Sequence, residues 1–208
     1  VLRVNFVSSL DGAVAVDGLS AGLSGEEDKK QFRLLRRDCD ALLVGAGTFR
    51  AENYRPLTLD AQRRAWRLEN GLTEYPRLVV VSRSLNLDPN HPALAQAPVR
   101  PIILTPSEGA VAGADTIRFT TLAQGLEKLA ALGLQHVLCE GGPYLFGALT
   151  GEDLVDEMYL TLSPLLAGPG SGRIIEGTPH EPRRMRLVHA NAAEDGTLLL
   201  KYERQRGS

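Results

Sequence analysis

Short apolar runs alternate with longer amphipathic stretches along most of this chain. Residues Arg3–Val7, Ala41–Val44, Arg77–Ser82, Pro101–Thr105 and His136–Cys139 have strand length, and the third is β-branched throughout its centre. Helical patterns fall between them. Ser24 and Glu27 have capping-box spacing, which predicts a helix from Ser24 to about Arg37 with Phe32 and Leu35 on one face. Leu59 to Glu69 is a second, arginine-rich amphipathic stretch. Thr121 opens a third, carrying Leu122, Leu126 and Leu129 and closed by Gly133. Tyr144–Leu149 lies in a fourth. Three late strands follow, Met158–Leu162, Arg186–His189 and Thr197–Tyr202, with a Gly/Pro-rich loop over Ala167–Pro182 that is too long for a hairpin turn. Alternation followed by late strands predicts an α/β fold, a mainly parallel sheet covered on both faces with antiparallel strands at one edge. No repeat or linker composition interrupts it, so residues 1–208 read as a single domain.

Composition narrows the function. Hydrophobic content of 43% and charged content of 23% belong to an ordinary globular domain. A net charge of -2 provides no general field for nucleic acid or an acidic membrane. Cys39 and Cys139 sit in apolar surroundings and read as buried reduced thiols. His91, His136, His180 and His189 lack metal-ligand spacing, so no metal is expected. No apolar run reaches the ~18 residues of a membrane helix and no signal peptide is visible, which predicts a cytoplasmic location without a membrane partner. The chain opens at Val1 inside a strand-like run, and natural residues are expected to precede it.

The strand ends carry the candidate chemistry. An open α/β sheet binds ligands beyond the carboxyl ends of its strands. Here those ends read Ser8-Ser-Leu-Asp-Gly12, Gly45-Ala-Gly-Thr-Phe-Arg-Ala-Glu52, Ser82-Arg-Ser84 and Glu140-Gly-Gly-Pro143. The last combines an acid, two glycines and a proline suited to a first helical turn. Such a helix start presents unsatisfied amides and the positive end of the helix dipole, a natural seat for phosphate. Each segment alone is also compatible with a plain turn, an N-cap or a surface charge. Their joint occurrence at four strand ends points to a cleft for a polar, phosphate-bearing ligand.

In this order the segments resemble the reductase domain of riboflavin biosynthesis, a branch of the dihydrofolate-reductase-like fold. The anchors are Ser9–Gly12, Gly45–Thr48, Val80–Arg83, Glu140–Pro143 and Val155–Pro164. The resemblance implies a three-layer α/β/α architecture, NADPH as hydride donor, a small heterocyclic substrate and a homodimer. By family position Val7, Gly45, Gly47, Thr48 and Glu52 line the cofactor site, with Ser82 at the adenosine end and Arg83 beside a 2′-phosphate. Gly142, Pro143, Tyr144, Leu145, Phe146 and Gly147 wrap the pyrophosphate, Gly141 also belongs to the cofactor site, and the Gly141–Gly142 bond is expected to be cis. Ser9, Asp11, Arg36 and Glu140 stand on the substrate side, Arg37 being the alternative to Arg36. Asp11 and Glu140 are the candidate catalytic residues. Asp11 orients a hydroxyl or supports protonation, and Glu140 accepts from hydroxyls or a ring amine.

Several positions depart from that family. Ala13 and Ala21 stand where a basic residue and a serine are usual. The loop after Glu52 reads Asn53-Tyr-Arg-Pro-Leu57 and is followed by Arg63, Arg64 and Arg67, which either replace missing substrate contacts or face solvent. The zinc-dependent deaminase half of the bifunctional enzymes has no counterpart in the chain. The first-helix acids Glu26, Glu27 and Asp28 read as first-turn charges rather than the lone acid of a dihydrofolate reductase. The expected activity is an NADPH-dependent reduction of the 5-amino-6-ribosylamino-pyrimidinedione 5′-phosphate type. A dihydrofolate or other pterin reductase and a non-catalytic NADPH-binding paralogue are the alternatives.

Overall fold

The computed structural model describes residues 1–205. In chain order the elements are β1 (Leu2–Ser9), α1 (Glu26–Asp38), β2 (Ala41–Gly45), α2 (Ala46–Ala51), α3 (Ala61–Glu69), β3 (Arg77–Val81), α4 (Pro92–Ala95), β4 (Ile102–Thr105), β5 (Asp115–Arg118), α5 (Leu122–Ala131), β6 (Val137–Cys139), α6 (Pro143–Gly151), β7 (Glu157–Ser163), β8 (Met185–Ala192) and β9 (Leu198–Arg204). Every strand and helix expected from the pattern is present. The short strand β5 and the one-turn α4 were not legible, because four residues are too few to display a period. No helix among the described residues is long and apolar enough to cross a membrane.

The chain divides into two compact units, one of Val1–Leu34 with Cys139–Ser208 and one of Leu35–Leu138. In the second unit β5, β4, β3 and β2 are consecutive neighbours and every pair is parallel. Leu42, Leu43, Val44, Val79, Val80, Ile102, Ile103 and Leu104 are at most 1% exposed. That explains their uninterrupted apolar sequences, since a parallel strand is covered on both faces. In the first unit the order is β1, β7, β9, β8. There β1 and β7 are parallel, with Ser9 opposite Ser163, whereas β9 runs antiparallel to both β7 and β8. The antiparallel strands at one edge thus match the expected α/β class. Phe6 of β1 stacks on Phe146 of α6 with centroids 4.6 Å apart, anchoring that helix to its own unit's strands.

Capping follows the sequence with one correction. Asp60 caps α3 by accepting from the Arg63 amide at 2.8 Å, and Thr121 caps α5 by accepting from the Gln124 amide at 3.2 Å. At α1, however, the first helical bond runs from the Lys29 amide to the Gly25 carbonyl, so Ser24 lies one residue outside. Its hydroxyl donates to Asp28 rather than sharing a capping box with Glu27. Asp28 is only 5% exposed, and its other carboxylate oxygen has no partner among the described residues. It is a buried acid, not the surface first-turn charge expected. Glu26 and Glu27 do behave as such charges, pairing with Lys29 and Lys30.

Candidate functional site

In the unit containing β1, the Ser9–Gly12 turn is closed by its own polar groups. The Ser9 hydroxyl, buried at 1% exposure, donates to Asp11 Oδ1 and accepts from the Ala13 amide at 2.8 Å. The Gly12 amide donates back to the Ser9 carbonyl at 3.1 Å. Asp11 Oδ1 also accepts from the Ala167 amide at 3.0 Å, and Oδ2 from the Gly168 amide at 2.8 Å. The Ser9 hydroxyl first, then the two amides, lower the Asp11 pKa from 3.8 to about 2. Asp11 is therefore an anion at any ordinary pH. Sequence reasoning missed Ala167 and Gly168, because backbone donors carry no side-chain signature.

The same unit holds the glycine turn. Glu140 follows β6 and is 9% exposed. The Gly141–Gly142 peptide is cis, as expected, and Gly141 has φ 109°, which favours glycine. Gly142 is the N-cap of α6 and Pro143 stands in its first turn. As a glycine cap Gly142 offers no side-chain acceptor to the first-turn amides, the donors that an anionic group at a helix start would satisfy. The six residues expected around a pyrophosphate differ sharply. Tyr144 is 72% exposed, while Leu145 and Phe146 are buried and Phe146 is held by Phe6. Phe146 reads as core, and its side chain is accounted for without a ligand. Gly147 has its own internal reason, since a Cβ there would lie 2.1 Å from the Glu176 carbonyl oxygen. Val7 lies in β1 opposite Thr161 of β7.

In the other unit Gly45 ends β2 and caps α2, with Val81 of β3 beside it. Thr48 lies inside α2 and is not its cap. Its carbonyl accepts from the Glu52 amide at 2.9 Å at the helix end. Gly47 is exposed, and a Cβ built there would meet no heavy atom within 4 Å. The protein's own packing therefore does not require glycine at 47, whereas close approach of a ligand would. Ser82 is 2% exposed and its hydroxyl oxygen accepts from the Leu85 amide at 3.1 Å, making it a turn builder. Arg83 is exposed, and its side chain has no partner among the described residues.

The arginines sort clearly. Arg37 lies over the Trp66 ring at 3.6 Å and bonds Asp38 at 2.6 Å, so it is committed to structure. Arg36 lies 5.9 Å from the Tyr54 ring centroid, in the segment after Glu52. Arg63 pairs with Asp60 and Arg64 with Glu74. Arg67 neither faces solvent nor reaches a ligand. It is fully buried and donates to the carbonyls of Arg37 at 2.7 Å, Cys39 at 2.6 Å and Thr73 at 2.7 Å. Burial lowers its pKa, and these carbonyls satisfy its donors. Of the two readings of these arginines, substrate contact or solvent, Arg67 meets neither and is structural, while Arg63 and Arg64 are paired with acids. Cys39 and Cys139 are buried thiols rather than disulfide partners, and burial pushes the Cys139 thiol up to about 12.

The mostly parallel sheet with antiparallel strands at one edge is that of the dihydrofolate-reductase-like fold. The chain belongs to the RibD C-terminal domain family, whose model matches residues 1–199. It is 30% identical over 188 residues to the 2,5-diamino-6-ribosylamino-4(3H)-pyrimidinone 5′-phosphate reductase of Methanothermobacter thermautotrophicus, covering 83% of this chain and 81% of the relative. It is 26% identical over 181 residues to the riboflavin biosynthesis protein RibD of Escherichia coli, a match that takes in 80% of this chain and 49% of the relative. The chain thus spans about half of that longer protein. Among solved structures, a pyrimidine reductase-like protein from Corynebacterium diphtheriae superposes with a TM-score of 0.88 at 23% identity, over 99% of this chain and 92% of the other.

Proposed function

We propose that the chain is an NADPH-dependent reductase of riboflavin biosynthesis acting on a ribosylamino-pyrimidine 5′-phosphate. The observation that carries this reading is the match to a named pyrimidine reductase over four-fifths of both chains. The 5-amino-6-ribosylamino-pyrimidinedione 5′-phosphate is the leading substrate. The relative's name makes the 2,5-diamino-pyrimidinone the second compound to test, since the two differ only in the group on C2. The named relatives do not favour a pterin reductase.

The residues fit a nicotinamide dinucleotide in two places. The Gly142-capped start of α6 has no side-chain cap on its first-turn amides, which suits a pyrophosphate, and the open surface at Gly47 suits close ligand approach. Arg83 carries an exposed guanidinium suited to a 2′-phosphate. When bound, a nicotinamide would supply the hydride for reduction of a C=N or opened-ribose carbon. The chain's own part is to bind, orient and exclude water. Glu140, held in a buried position, accepts from substrate hydroxyls or a ring amine. Arg36 beside Tyr54, and Arg55 exposed in the same loop, are the cations placed for a substrate phosphate. We further propose that residues 1–208 act as one reductase domain, as a cytoplasmic homodimer.

The deciding experiment is a single-turnover assay following loss of reduced-nicotinamide absorbance with both pyrimidines and with dihydrofolate. Oxidation with either pyrimidine supports the reading. Stoichiometric NADPH binding without oxidation, or turnover of dihydrofolate alone, overturns it. For the cofactor, Arg83→Ala should weaken NADPH about ten-fold or more and leave NADH unchanged, as loss of a charge-assisted contact predicts. Equal loss for both cofactors removes Arg83 from the 2′-phosphate.

A further inference from the structure

The long Gly/Pro-rich loop after β7 is tied down at both ends within its unit. At the near end the Leu10 amide donates to the Leu165 carbonyl at 2.9 Å, and Asp11 receives the amides of Ala167 at 3.0 Å and Gly168 at 2.8 Å. The Val14 amide reaches the Gly172 carbonyl at 3.2 Å, and the Ala15 amide reaches Ser171 Oγ at 3.3 Å. At the far end the Glu176 amide donates to the Pro143 carbonyl at 3.1 Å, in the first turn of α6. Glu176 then passes so close to α6 that only glycine fits at 147. Between these ends the Arg173 amide bonds Glu176 Oε1 at 3.2 Å. Residues 164–177 therefore form a strap from the Ser9–Ala15 turn to the start of α6.

We infer that Asp11 is a positioning residue whose carboxylate anchors this strap and, through it, fixes the first turn of α6. Two amides and a hydroxyl converge on one small anion, and the ionised carboxylate is the stronger acceptor for all three. The depressed pKa agrees with that role and leaves no proton to donate near neutrality. Ser9 serves the same end, because its one proton goes to Asp11 while its oxygen accepts from Ala13. The consequence for the cofactor rests on the function proposed above; the coupling within the protein does not.

The test uses Asp11→Asn in the full chain, which keeps the side chain's shape but opposes an amide donor to a backbone donor. Hydrogen exchange is followed over residues 164–177 and 143–151, alongside NADPH binding by fluorescence titration. The strap and the start of α6 should both exchange about ten-fold faster or more, and NADPH should bind about ten-fold more weakly, with exchange elsewhere unchanged. Ser9→Ala, which removes one of three donors, should give the same pattern at smaller amplitude and serves if Asp11→Asn does not fold. Faster exchange confined to the strap, or no change in either segment, overturns the inference. So does a pH–rate profile in which an essential acid is present in the wild type and missing from the variant. If the wild type binds no NADPH at all, the functional reading fails while exchange over 143–151 still decides the coupling.

Discussion

The starts of α2 and α6 share a sequence signature, glycines between a buried strand and a helix, yet they are built on opposite principles. At α6 the glycine inside the helix is demanded by the protein itself, because the Glu176 carbonyl occupies the space of a side chain at 147. At α2 the glycine at 47 faces open space. The two starts are also braced differently. The strap crosses directly onto the first turn of α6 through the Glu176–Pro143 bond. The approach to α2 is held from upstream, where Arg67 binds the carbonyls of Arg37 and Cys39 immediately before β2. Identical glycine signals thus have distinct causes. Internal crowding predicts a stability penalty on substitution, and open space predicts a ligand penalty.

The largest effect should come from removing the upstream brace. Arg67→Ala empties a fully buried position and removes the donor from the buried Cys39 carbonyl and from the partly buried Arg37 and Thr73 carbonyls, and should lower unfolding stability in urea by about 2–5 kcal/mol. A loss under about 1 kcal/mol would mean that the α2 start is held by something else. Next is Gly147→Ala, which forces either the strap or the helix to move and should cost about 1–3 kcal/mol. Neutrality there would show that the strap yields freely and would erase the contrast with α2. Gly47→Ala is the converse case. Stability should stay level or rise by up to about 1 kcal/mol, since alanine is the better helix former, while NADPH affinity falls. Unchanged affinity would remove Gly47 from the proposed cofactor surface.

The smallest effect is a pH signature of the strap anchor. Asp11's folded-state pKa is depressed, so its stabilisation is complete above the pKa of the unfolded carboxyl and is lost as pH falls through about 2. The difference in melting temperature between wild type and Asp11→Asn should be constant from about pH 7 to 5 and close between about pH 4 and 2. A difference that instead changes near neutrality would mean that Asp11 titrates there and is not clamped by Ser9, Ala167 and Gly168.

Much of the fold was legible because its periods are long and unbroken. β2, β3 and β4 read as buried parallel strands from composition alone, and Asp60 and Thr121 sit at the helix starts where their side chains can accept the amides that lack partners. The elements that escaped, α2, β5 and α4, are too short to display a readable period. The candidate site was legible as a set of strand ends, but not in its internal wiring. Ser9, Asp11 and Ser82 were expected toward ligands, yet their described hydrogen bonds build turns and anchor a loop. Arg67 was expected to lie outside or toward a substrate and is the largest fully buried side chain. The long Gly/Pro-rich loop and a glycine inside the α6 pattern were the available signals of the strap, because glycine within a helix can mark a close backbone approach.

The sequence by itself determined the α/β class, the order of the strand ends and membership of a reductase lineage, because periodicity and motif order are properties of the chain in one dimension. Tertiary structure alone decided what each polar group faces. Asp11 became an anchored anion, Asp28 a buried acid and Arg67 an internal brace because hydrogen bonds form with whatever donors and carbonyls folding delivers. Those partners lie up to 157 residues away, as with Asp11 and Gly168, and no local pattern encodes them.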